Sequence, residues 1–113
     1  MEAAIFKFST WLEGTEETRL RNNFSDLLEQ CGFTILNFQE YYFRPQGYTA
    51  LWLLAESHLA IHTFPEHNVS YIELSSCTEL YYKYFMAQVY KVGFKEIGEP
   101  NHKYHEQSIS RPL

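Results

Sequence analysis

The chain has 113 residues, a formal net charge of −5 at pH 7 and an aromatic content of 18%. A single domain, residues 1–113, is expected because independent domains mostly contain about 100–150 residues. The nine Lys and Arg residues form no basic stripe or tail, which disfavours nucleic-acid binding because the phosphate backbone requires a basic surface.

The first part of the chain predicts a strand, a helix and a second strand. Residues 3–10 alternate like a strand. Glu16 and Glu17 indicate a helix start, since acidic side chains favour the positive end of the helix dipole. The period of the apolar residues changes to two over residues 33–43, as in a strand. The helix has an apolar stripe that stops at Gly32 and comprises Leu20, Phe24, Leu27, Leu28 and Cys31.

The second part of the chain predicts three more strands and a second helix. The strands cover residues 48–55, 58–64 and 69–75. The helix covers residues 79–93, ending at a glycine, and residues 94–97 are a candidate short strand. Residues 99–113 are expected to be loose.

This order of elements predicts an α+β fold, a two-layer sandwich. Adjacent strands joined by short turns form an antiparallel sheet, and two amphipathic helices can cover only one face of it. The other face is rich in aromatic residues and needs a cover. We therefore expect two sheets to pack face to face in a homodimer, an αββα arrangement.

A membrane partner is not expected. No apolar run approaches the length of a membrane helix, and the amino terminus lacks the organisation of a secretion signal. The two cysteines, Cys31 and Cys77, make no disulfide framework. These features predict a cytoplasmic protein in which Cys31 is a core residue.

The segment LLAESHLAIHTFPEH, residues 53–67, interrupts predicted strands with polar side chains. His58 and His62 would share one face of a strand, but no third ligand at metal-site spacing is evident, so no metal is expected. A Ser-His-Asp hydrolase is disfavoured because no GxSxG motif is present. The alternative is a polar turn between two strands.

Residues 47–67, GYTALWLLAESHLAIHTFPEH, closely resemble the processing region of prokaryotic S-adenosylmethionine decarboxylases. That region combines Glu-Ser-His, then Ile-His-Thr-aromatic-Pro-Glu, and a downstream Cys that follows a small hydroxylated residue. Ser76-Cys77 stands at the matching distance, and Phe43-x-Pro-x-Gly also matches. The resemblance covers residues 43–77, about a third of the chain.

The resemblance implies self-cleavage into residues 1–56 and 57–113. The Ser57 hydroxyl attacks the carbonyl of Glu56, and elimination from the resulting ester leaves a pyruvoyl group, the covalent cofactor, at position 57. His62 matches the base for the elimination, and histidine suits proton transfer near neutrality. Thr49 matches a family serine that assists the shift through its hydroxyl.

The same resemblance implies a pyruvoyl-dependent carboxy-lyase that acts on S-adenosylmethionine and so supplies aminopropyl groups for spermidine synthesis. The pyruvoyl carbonyl forms a Schiff base with the substrate, and Cys77 returns a proton to the α-carbon. Phe43 and Phe64 match aromatic substrate-site positions, and Glu66 could bind a ribose hydroxyl or the sulfonium cation. His58 receives no chemical step, and His67 is expected to be a solvated turn residue.

Several positions depart from the family pattern. Phe64 replaces a Trp, Thr49 a Ser and Glu73 an Asp, while Thr78 replaces a Gly and an amino-terminal Gly-x-His segment is absent. These departures leave two alternatives open. One is the same mechanism on another amino acid such as ornithine or arginine, and the other is an uncleaved homologue that acts as a regulatory partner.

Overall fold

A computed structural model describes residues 3–97, which form five strands and two α-helices. In chain order the elements are β1 (Phe6–Glu13), α1 (Glu17–Gln30), β2 (Ile35–Tyr42), β3 (Tyr48–Leu54), β4 (Ser57–Phe64), β5 (Val69–Ser76) and α2 (Glu79–Gln88). Short 3-10 turns at Pro65–His67 and Val89–Lys91 follow β4 and α2. The predicted α+β class is confirmed.

The five strands form one antiparallel sheet in the order β1-β5-β4-β3-β2. The strands from β2 to β5 are neighbours in sequence and in space, while β1 crosses over to pair with β5. The register is unbroken from Ser57↔Ser76 to Phe64↔Val69 between β4 and β5. This register fixes which side chains share a face.

One face of the sheet is covered by the two helices, as predicted. Alternate strand residues, Trp52 and Ile61 among them, share one buried cluster with Phe24 of α1 and Phe85 of α2. The indole nitrogen of Trp52 donates a hydrogen bond to Ser25 Oγ on α1 at 3.0 Å. Cys31 is buried in the same cluster, as expected.

Helix α1 begins as its sequence predicts. The carboxylate of Glu16 accepts hydrogen bonds from the backbone N–H groups of Arg19, at 2.7 Å, and Thr18, at 3.3 Å. These bonds satisfy two of the N–H groups that a helix leaves unpaired in its first turn. Gly32, with φ +106°, follows the helix, and an added Cβ there would lie 2.7 Å from the ring of Tyr81.

The prediction of a last strand at residues 94–97 is wrong. The segment meets β1 at a single bridge, Leu12↔Glu96. The Phe94 side chain packs into the core instead. The guanidinium carbon of Arg19 lies over its ring, 4.4 Å from the ring centroid. The second helix is also shorter than predicted, because it tightens into the 3-10 turn after Gln88. The expectation for residues 99–113 lies outside the described residues.

The outer face of the sheet, opposite the helices, is partly apolar and exposed. Leu51 and Leu53 of β3 are 42% and 51% exposed. Within residues 3–97, no helix is long and apolar enough to span a membrane. The face-to-face dimer stays a prediction.

Candidate active site

The Glu56-Ser57 bond lies in the hairpin between β3 and β4. Leu54 pairs with Ser57, so Ala55 and Glu56 form a two-residue loop. Glu56 has a φ of +61°, in the left-handed region that non-glycine residues rarely adopt. Such a conformation costs of order 1 kcal/mol. The residue before the candidate scissile bond is therefore strained, and cleavage would release that strain.

The Ser57 hydroxyl is held by groups at the end of β5. Ser57 is 8% exposed and its Oγ donates a hydrogen bond to Ser76 Oγ at 3.3 Å. The backbone N–H of Cys77 donates to Ser57 Oγ, also at 3.3 Å. Two of the predicted site residues, Ser57 and Cys77, thus meet within one protomer. Cys77 itself is exposed, which leaves its side chain accessible to a substrate.

Thr49 and His62 form a second pair. They are register partners on β3 and β4, and Thr49 Oγ1 lies 3.0 Å from His62 Nδ1. If Nδ1 donates its proton to Thr49 Oγ1, Nε2 carries the lone pair and is the basic atom. The threonine can therefore orient the imidazole as a serine hydroxyl would.

Burial lowers the pKa of His62 below its ordinary value of 6.5, and the Glu73 carboxylate opposes part of that change. Burial disfavours the charged imidazolium, whereas a nearby negative charge favours it. The lowered pKa keeps the imidazole neutral at pH 7. A neutral imidazole can accept a proton, as a general base must.

Self-processing is expected to vary little between pH 7 and pH 8 and to slow only below pH 6.5, as His62 becomes protonated. Glu73→Gln should move this acid limb to still lower pH, because it removes the charge that raises the pKa of His62. Cleavage rates measured by gel densitometry across pH would show both effects, with Glu79→Gln on α2 as the control. A limb centred above pH 6.5, or one that Glu73→Gln moves upward, would contradict this assignment.

Aromatic side chains flank the Thr49-His62 pair on the outer face. Phe43, just beyond β2, is half exposed and packs edge-on against Tyr41, with ring centroids 4.8 Å apart. On the other side, the ring centroid of Phe64 lies 5.7 Å from that of Trp11. The ring centroid of Trp11 lies in turn 5.0 Å from that of Tyr71. Phe43 and Phe64 therefore lie at the same end of the sheet as His62, where the sequence predicts substrate binding.

The remaining candidates differ in position. Glu66 is exposed in the 3-10 turn after Phe64, at that same end of the sheet. His58 is exposed on the outer face near the Ser57 end, and His67 is exposed in the turn. Within residues 3–97, no three His, Cys, Asp or Glu side chains are grouped closely enough to hold a metal ion.

The structure does not bring His62 to Ser57 within one protomer. They are five positions apart on β4, which is about 17 Å along a strand, and their side chains point to opposite faces. The predicted residues thus form two clusters. The first, the nucleophile cluster, comprises Glu56, Ser57 and Cys77, and the second, the base cluster, comprises Thr49 and His62 with the aromatic side chains beside them.

Sequence reasoning gave no role to three residues that contact these clusters, although Ser76 stood in the quoted motif. Ser76 accepts a hydrogen bond from Ser57, and Tyr71 and Trp11 lie in the same cross-strand row as His62. The turn between β4 and β5 is the sequence feature from which the positions of Ser76 and Tyr71 could have been predicted. Once Phe64 pairs with Val69 across that turn, counting back places His62 opposite Tyr71 and Ser57 opposite Ser76.

An α+β fold with a buried serine hydroxyl at a strained hairpin has the features expected of a protein that cleaves its own backbone. The family model for S-adenosylmethionine decarboxylase matches residues 14–108. The chain belongs to this family, which confirms the resemblance seen in the sequence.

Named relatives agree with this membership. One is an S-adenosylmethionine decarboxylase proenzyme from Prochlorococcus marinus (strain MIT 9313), 36% identical over 87 residues that cover 77% of this chain and 67% of the relative. Another proenzyme of that name, from Brevibacillus brevis (strain 47 / JCM 6285 / NBRC 100599), is 43% identical over 60 residues, 53% of this chain and 45% of the relative. The chain therefore spans between about half and two thirds of these relatives.

A solved structure shares the fold. It is the crystal structure of the adenosylmethionine decarboxylase from Aquifex aeolicus VF5, with a TM-score of 0.59 and 22% sequence identity. The alignment covers 78% of this chain and 82% of that chain. At this identity the likeness supports the fold alone.

Proposed function

We propose that this protein is a self-processing, pyruvoyl-dependent decarboxylase of S-adenosylmethionine. The observation that carries the proposal is the Ser57 hydroxyl, held beside Cys77 at the strained Glu56-Ser57 hairpin. The activity predicted from the sequence, that of a carboxy-lyase on S-adenosylmethionine, agrees with the family model and with the relatives' names.

Self-processing follows from the nucleophile cluster. The Ser57 Oγ bonds to the carbonyl carbon of Glu56, the bond to the Ser57 nitrogen breaks, and the hydroxyl proton is lost while the amine gains one. The partner protomer's His62 then removes the Cα proton of residue 57, and the Cβ–Oγ bond breaks. The oxygen leaves within the new carboxylate of Glu56. Tautomerisation, addition of water and release of ammonia complete the pyruvoyl end.

The residues present fit a pyruvoyl group at position 57. The Oγ that must leave lies beside a backbone N–H donor, and the exposed Cys77 adjoins the same residue. When formed, the group withdraws electrons from the substrate's α-carbon as carbon dioxide leaves. Cys77 then supplies the α-carbon proton, while Phe43 and Phe64 offer aromatic faces to the adenine or the sulfonium cation.

A homodimer that forms before cleavage and persists between the cleaved protomers would unite the two clusters. Packing the outer faces together about a two-fold axis that runs across the strands would place the Ser57 end of one protomer over the His62 end of its partner. The exposed Leu51 and Leu53 lie between these ends and would be buried. Each dimer would then contain two sites, each with residues from both protomers.

This arrangement predicts complementation between two inactive chains. Co-expressed Ser57→Ala and His62→Ala chains should form mixed dimers in which only the His62→Ala chain is cleaved, because it keeps its serine and borrows the partner's imidazole. Mass spectrometry of differently tagged chains would identify the cleaved one. A Ser57→Ala/His62→Ala double variant as partner is the control and should give no cleavage. Absence of cleavage in the mixed dimer would refute a shared site.

Substrate identity is tested by release of labelled carbon dioxide from S-adenosylmethionine, ornithine and arginine. We expect turnover of S-adenosylmethionine alone. Equal or greater release from either other amino acid would overturn the substrate assignment but keep the mechanism.

Cys77→Ala should leave most self-cleavage intact and reduce this turnover about 100-fold, the scale of a lost general acid. Cys31→Ala, at the buried cysteine, is the matched control and should keep turnover per folded chain. The comparison uses the carbon dioxide assay on chains whose cleavage has been quantified. Unchanged turnover in Cys77→Ala would refute its role as the acid.

A further inference from the structure

Ser76 is fully buried at the end of β5, directly opposite Ser57. Its hydroxyl donates a hydrogen bond to the Thr78 carbonyl oxygen and accepts one from the Thr78 N–H, both at 3.0 Å. These two bonds fix the orientation of the Ser76 hydroxyl. It also accepts the hydrogen bond from Ser57 Oγ, so a rigid group faces the nucleophile.

The hydrogen bonds around Ser57 Oγ leave one direction open. Its proton points to Ser76, and one lone pair accepts from the Cys77 N–H. A hydroxyl oxygen has two lone pairs. The second lone pair is therefore free to attack the carbonyl carbon of Glu56, the preceding residue, whose backbone is already strained.

We propose that Ser76 is a positioning residue for self-processing, whose buried hydroxyl, with the Cys77 N–H, holds Ser57 Oγ ready for the shift to the Glu56 carbonyl. This inference rests on the proposed function and adds the residue that prepares the nucleophile. In the shift, the Oγ–C bond forms, the C–N bond breaks and the proton lost from Oγ is matched by the one gained at nitrogen. The Cys77 N–H stabilises the partial negative charge that Oγ carries as it loses its proton, before the bond to the carbonyl carbon is complete.

The role is confined to the shift. Later elimination breaks the Cβ–Oγ bond and depends on the base, not on the orientation of a free hydroxyl. Loss of the Ser76 hydroxyl should therefore slow formation of the ester rather than its breakdown. Hydroxylamine distinguishes these steps, because it cleaves an ester that has formed but does not help a shift that has not occurred.

The test compares the self-cleavage rate of purified wild-type chain with that of Ser76→Ala, Ser76→Thr and Ser76→Val. We expect Ser76→Ala to slow cleavage about 10- to 100-fold, the scale of a misplaced reacting group, without rescue by hydroxylamine. Ser76→Thr should cleave at least about 10 times faster than Ser76→Val. These two side chains have nearly the same shape and differ by the hydroxyl, so the pair gives an answer even if Ser76→Ala does not fold.

Ser70→Ala is the control, since Ser70 is another fully buried serine on the same face of β5 and bonds only to the Gly14 carbonyl among the contacts described. It should cleave at the wild-type rate once thermal melting shows a folded chain. Equal rates for Thr and Val at position 76, or restoration of the Ser76→Ala rate by hydroxylamine, would overturn the proposal. A wild-type chain that never cleaves would instead overturn the proposed function.

Discussion

Ser57→Ala is expected to abolish self-cleavage and leave only the intact 113-residue chain. The substitution removes the hydroxyl of the residue that directly follows Glu56, which is the group that attacks the Glu56 carbonyl. No pyruvoyl group can form from alanine. Decarboxylation should fall to background for the same reason. Denaturing mass spectrometry and carbon dioxide release would measure the two losses in one preparation.

Ser70→Ala provides the control for this substitution as well. It makes the same chemical change at a buried serine of the adjacent strand, far from the hairpin. It should cost stability but still permit cleavage of the folded chain. Cleavage between residues 56 and 57 in Ser57→Ala would rule out the serine as nucleophile.

His62→Ala is expected to slow self-processing at least about 100-fold, the scale of a lost general base. The shift can still occur, so an ester between Glu56 and Ser57 should accumulate. Hydroxylamine should then cleave the chain at that bond. The ester and the rate of chain cleavage can be followed together by mass spectrometry and gel densitometry.

His58→Ala is the matched control, because His58 lies on the same strand and the same face as His62. Its exposed side chain has been assigned no chemical step, so processing should stay within about twofold of wild type. An equal loss of processing rate in the two variants would show that the effect comes from a general disturbance of β4 rather than from the loss of a base. Normal processing in His62→Ala would refute the base.

The sequence alone predicted the five strands and the two helices, most clearly β3 and α1, because those two elements carry a regular apolar period. The alternation in β3 and the stripe from Leu20 to Cys31 report burial on one face. The prediction of a strand at residues 94–97 failed for the opposite reason. Their alternation is too short to distinguish a strand from a segment whose Phe94 packs beneath Arg19, a contact between residues distant in sequence.

The family resemblance singled out candidate site residues, but their spatial grouping could not be predicted from it. The resemblance to the family pointed to Ser57, His62 and Cys77 without indicating on which face of the sheet each side chain lies. In the structure, β4 places Ser57 and His62 on opposite faces, and the hairpin places Ser57 beside Cys77. Motif spacing also could not reveal the positive φ of Glu56, because that conformation is imposed by the two-residue loop.

Denaturing mass spectrometry of the purified wild-type chain after native incubation tests the central claim most directly. We expect one fragment of residues 1–56 with an ordinary carboxyl end. The second fragment, residues 57–113, should be lighter by one ammonia than the same peptide beginning with serine and should resist Edman degradation. Intact chain alone, or a second fragment that begins with an unmodified serine, would contradict the proposal of a self-made pyruvoyl group.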